Sequence, residues 1–98
     1  MSDDQKTYPT TCRMKVRQAT IDAAMQEFRA MLTKQIEAKG DVAWASSHET
    51  LGVVTEEYTE LVSAIRENHL PAVKNELLDI MVAAFWGIAS AKQGAWTW

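Results

Sequence analysis

Ninety-eight residues make one domain with room for a single modest core, and 47% hydrophobic with 23% charged residues is the composition of an ordinary globular protein. The net charge of −3 argues against a nucleic acid polymer as partner, since that calls for a basic stripe and the only local basic cluster is Arg13, Lys15 and Arg17. The single Cys12 cannot form an internal disulfide and fits a reducing, cytoplasmic setting.

Met1 to Cys12 is polar, holds Pro9 and lacks periodicity, so residues 1–12 read as a flexible N-terminal arm, not a signal peptide, ahead of a domain over 13–98. A first helix is expected from about Met14 to Ala38, where Ile21, Met25, Phe28, Leu32 and Ile36 form one apolar stripe. Phe28 and Met25 read as core. Gly40 after Lys39 fits the helix end. Ser46 with Glu49 three residues on matches a capping box, and the second helix should carry Leu51, Val54, Tyr58, Leu61, Val62 and Ile65 on its apolar side as far as Glu67. Asn68 to Leu70 reads as a turn, and Pro71 suits the first position of a third helix running to about Lys92.

So short a turn makes the second and third helices antiparallel neighbours. From Ile80 to Ala89 the third helix is apolar nearly all round, yet about half the length needed to cross a bilayer. A three-helix monomer would not cover it. The expected fold is therefore all-α: an antiparallel helical hairpin plus a long N-terminal helix, completing a four-helix-bundle-like core as a homodimer or homotetramer, with no membrane involved. Trp86 reads as core or interface. The tail from Gly94 to Trp98 would pack on the partner or line a pocket.

Four acids concentrate the chemistry. Glu57 and Glu60 on the second helix, and Glu76 and Asp79 on the third, are each spaced three apart and project from one stripe. Val53, Leu61 and Ala64 flank the first pair; Ala72, Ile80 and Ala83 flank the second. Carboxylates set among apolar neighbours need a partner, and no basic residue stands among them at helical spacing. Hard oxygen ligands favour Mg²⁺, with Mn²⁺ as a substitute, over zinc. A ferritin-like di-iron site would need Glu-x-x-His pairs, and neither His48 nor His69 follows a glutamate by three.

The string Glu57-x-x-Glu60, fifteen residues, then Glu76-x-x-Asp79 resembles the signature of the MazG-like all-α nucleoside triphosphate pyrophosphohydrolases. The wording Glu56-Glu57-Tyr58-Thr59-Glu60-Leu61 and Glu76-Leu77-Leu78-Asp79-Ile80 extends the resemblance, which covers Trp44 to Ala89, about half of the chain. It implies four Mg²⁺ ligands and hydrolysis of an NTP or dNTP to the monophosphate and pyrophosphate, serving the nucleotide pool. It also points to Trp44 and His48 near the base; Trp44 would stack on it or else pack into the core. Glu56 stands about 100° round the helix from Glu57. It is a candidate orienting group or general base, or a surface acid. Lys34, Lys39 and Lys92 are candidates for phosphate oxygens. Many relatives carry a basic, asparagine-containing segment after the last metal helix, and here only Lys92 stands there. The alternative to an enzyme is a non-catalytic helical scaffold or nucleotide-binding module.

Overall fold

A computed structural model describes residues 13–98, so the expected arm over 1–12, with Cys12, lies outside the described residues. Among the described residues the chain is all-helical: α1 (Gln18–Lys39), α2 (Ser47–Arg66) and α3 (Leu70–Lys92), with no strand. No helix among them is long and apolar enough to cross a membrane. α2 and α3 form the main packed pair, and α1 lies against α3.

The helix ends follow local chemistry. Ser46 Oγ accepts from Glu49 N at 3.1 Å, and Glu49 Oε1 accepts from Ala45 N at 2.8 Å, so the capping box closes one residue further back than its usual form. α2 ends in a Schellman motif, with Asn68 at φ +56, His69 N donating to Ala64 O and Asn68 N to Ile65 O. α3 ends the same way at Gly94, φ +80, with Ala95 N donating to Ser90 O.

Two boundaries differ from expectation. α1 starts at Gln18, four residues late, because Arg17 is extended and offers no side-chain cap, and Met14 and Val16 are exposed with nothing to pack on. α3 starts at Leu70, one residue before Pro71, because the His69 ring supplies the cap: its Nδ1 accepts from Ala72 N at 3.2 Å.

The core is shallow. Phe28, Ala64, Leu78 and Ala83 are its buried hydrophobic side chains. Phe28 meets Phe85 edge-on at 5.4 Å and ties α1 to α3. Met25, expected in the core, is 43% exposed, because α1 rests on α3 alone and leaves its first turns uncovered. Leu51, Tyr58 and Ile65, expected on the packed side of α2, are also exposed. The side of α2 that meets α3 instead carries half-buried Val53, Val54, Glu57 and Leu61 and buried Ala64.

Two chain segments meet at the base of the hairpin. Thr97 N donates to Ala45 O at 2.8 Å and Ser47 N to Trp98 O at 2.7 Å, so the tail runs alongside the α1–α2 loop. Trp98 lies against His48, with ring centroids 4.2 Å apart and the ring planes tilted by 43°. The tail thus packs on its own chain's loop.

Candidate functional site

The i, i+3 spacing on two packed helices brings one carboxylate oxygen from each of Glu57, Glu60, Glu76 and Asp79 within 4.8 Å of the others. Glu60 is exposed and the other three are half-buried. Glu57 Oε1 and Glu76 Oε1 are buried with no hydrogen-bond partner. Each is an acceptor in want of a donor or a cation. The one ion pair among the described residues, Lys74 with Glu27 at 2.8 Å, is exposed and joins α1 to α3 without touching the cluster.

Crowding like charges in a half-buried seam makes ionisation harder. Glu57 is pushed up to about 6, first by burial and then by the charges of Glu60, Asp79, Glu76 and Glu56. Burial, then Glu60, raises Glu76. Asp79 is raised by burial and by Glu60, while nearby Lys39 and a hydrogen bond with Glu76 pull it back. A cluster of hard oxygens with two orphaned acceptors and mutual repulsion fits a divalent cation.

A cleft of about 140 Å³ opens beside these acids, between α1, the α1–α2 loop and the α2–α3 seam. Trp44, Trp86, Leu32, Ile36 and Val53 give it apolar walls, while Glu57 and Asp79 belong to both cleft and cluster. Trp86, expected in the core or an interface, lines the cleft and donates its Nε1–H to Val42 O at 2.9 Å. Trp44 N donates to Oγ of buried Ser90 at 3.0 Å, which fixes the loop on α3.

Of the side chains expected at the site, the four acids and Trp44 come together. His48 is exposed, lies against Trp98, and does not line the cleft. Among the lysines, Lys39 lines the cleft; Lys92 borders a separate shallow groove with Phe85 and Ile88, and Lys34 is exposed on α1 and lines neither. Glu56 is exposed beside the cluster. Gln35 also lines the cleft and escaped notice in the sequence, although it and Lys39 continue the side of α1 that carries Leu32 and Ile36. Set against models of known families, curated proteins and solved structures, the chain finds no match.

Proposed function

We propose that the protein is a Mg²⁺-dependent nucleoside triphosphate pyrophosphohydrolase that converts a (d)NTP to its monophosphate and pyrophosphate. One observation carries the reading: the four-carboxylate cluster and the aromatic-walled cleft are contiguous, with Glu57 and Asp79 common to both. A ligand that spans them has a planar apolar end and a metal-bound polyanionic end, as a nucleotide does. The resemblance in the Glu57-to-Asp79 segment supports the same reading.

Glu57, Glu60, Glu76 and Asp79 would hold the metal, with Mn²⁺ as an alternative. Bound there, Mg²⁺ supplies charge neutralisation at phosphate oxygens and a lowered pKa for water. The remaining steps belong to the chain. Trp44 and Trp86 hold the base between apolar surfaces, which orients the phosphates toward the acids. Lys39 adds the one positive side chain of the cleft. Water attacks the α-phosphorus, the α–β anhydride bond breaks, pyrophosphate leaves, and Glu56 is the candidate acceptor of the water proton. The reading includes a homodimer or homotetramer in the cytoplasm, with the exposed apolar sides of α2 and α3 covered by further copies.

A second reading, a nucleotide-binding module without turnover, is favoured by that single cleft cation, since a triphosphate carries more charge than Lys39 can balance. Pyrophosphate release from each dNTP and NTP, with Mg²⁺ and with EDTA, separates the two. The expected result is metal-dependent release that Glu57→Ala abolishes without unfolding the protein. Full turnover in Glu57→Ala would overturn the ligand assignment, and no release with metal bound would leave the binding module.

A further inference from the structure

We propose that Ser90 is a positioning residue: by holding the Trp44 backbone it sets the aromatic wall on which a base would lie, and this rests on the nucleotide reading above. Ser90 is the one polar side chain buried among the described residues, at 2% exposure. Its Oγ accepts the N–H of Trp44 at 3.0 Å. The loop meets α3 a second time two residues earlier, where Val42 O accepts the Trp86 indole N–H at 2.9 Å. Trp86 and Ser90 are four apart on α3 and so share a face. One bond at Val42 and another at Trp44 clamp the short stretch between them. With it they fix the direction in which the Trp44 side chain leaves the backbone.

A hydroxyl suits this place because bulk does not. Ala83, Gly87 and Ser90 are buried at spacings of four and three along α3. Gly87 lies against Thr50 of α2, and Ser90 against the loop. Small side chains let both come close, and serine adds an acceptor without bulk. Trp44 is half-buried, so its N–H needs that partner.

The bond is one of several, which separates positioning from holding the fold together. Ala45 O accepts both Thr97 N, at 2.8 Å, and Thr97 Oγ1, at 3.2 Å, and Ser47 N donates to Trp98 O. The Ser90 carbonyl accepts from Ala95 N, a contact that a change of side chain leaves intact. Loss of the hydroxyl therefore frees Trp44 N while Val42, Ala45 and Ser47 stay fastened. The acids are remote from it. Ser90 stands eleven residues beyond Asp79 on α3, about 16 Å along a helix axis.

The test is steady-state kinetics of the full chain with Mg²⁺ and each of the four standard dNTPs. Ser90→Ala should lower kcat/KM roughly tenfold, mainly by raising KM. A merely structural weakening would instead lower kcat, through loss of folded enzyme, and leave KM alone. The Mg²⁺ concentration for half-maximal rate should not move. In a Trp44→Ala background the same change should add nothing, since Ser90 acts through that ring. An unaltered KM in Ser90→Ala, or effects of the two substitutions that multiply, would overturn the inference while leaving the hydrolase reading in place. Should Ser90→Ala not fold, Ser90→Cys, similar in size with a weaker acceptor, takes its place in the cycle. If the wild type hydrolyses none of the dNTPs, calorimetric titration with the same four decides. A Kd raised roughly tenfold by Ser90→Ala keeps the inference and sinks the hydrolase reading. No binding, or binding that Ser90→Ala leaves unchanged, overturns the inference.

Discussion

Glu57 sits on the side of α2 that faces α3, one oxygen buried without a partner and three other carboxylates within reach. Its pKa rises from 4.5 to about 6, so the folded chain holds this proton more tightly than the unfolded chain does. Stability is consequently greatest below the unfolded value and falls as the pH climbs from 4.5 through about 6. Glu76 and Asp79 are shifted in the same direction. In EDTA the melting temperature should therefore be higher near pH 5 than at pH 7, and Mg²⁺ should raise it more at pH 7. Glu57→Gln should flatten the EDTA profile; a variant as pH-sensitive as the wild type would count against the cluster as its source. The acids were legible in the sequence because the spacing of three on a helix fixes which side chains share a face. Gln35 was not, because a lone polar residue beside Leu32 and Ile36 looks the same whether it meets solvent or a cleft. Only the fold of the α1–α2 loop, which no periodicity encodes, makes that distinction.

At the scale of elements, the α2–α3 seam is tight at Gly87. A Cβ built there would lie 2.6 Å from Thr50 Cγ2 and 3.1 Å from its Oγ1. Alanine would favour the helix by about 1 kcal/mol, but overpacking at a buried contact costs about 1–3 kcal/mol. Gly87→Ala should lower stability in urea melts, and Thr50→Ala on the same chain should recover most of the loss. A single variant as stable as the wild type would show that α2 and α3 do not approach this closely. Helix number and the α2 start were readable because Ser46 and Glu49 form a local capping signal. The α1 start was not: Arg17 is extended without a side-chain cap, and Met14 and Val16 find nothing to pack on. Leu51, Tyr58 and Ile65 were placed on the correct helix but not on its packed side, since α2 carries two apolar stripes and a single α3 covers one.

At the scale of the molecule, large apolar side chains stand exposed on both α2 and α3. Leu51, Tyr58 and Ile65 recur every seven residues on α2 and are more than half exposed, and Leu70, Leu77, Met81 and Ile88, spaced by seven, four and seven along α3, are 43–75% exposed. Under the oligomeric reading, sedimentation should return a dimer or tetramer, and Leu77→Lys with Met81→Lys should reduce it to monomer or aggregate. A wild type that sediments as a monomer at micromolar concentration would reject that reading. The pairing of tail and loop has a different kind of consequence, in time. Ala45 and Thr97 stand 52 positions apart, so during synthesis the loop is made long before the residues that tie it down. The α2–α3 hairpin, built from neighbouring segments, can form while that loop is still free. Ser90 and Trp86 can tie the loop to α3 first, and its ties to Thr97 and Trp98 can close only once those later residues have been made.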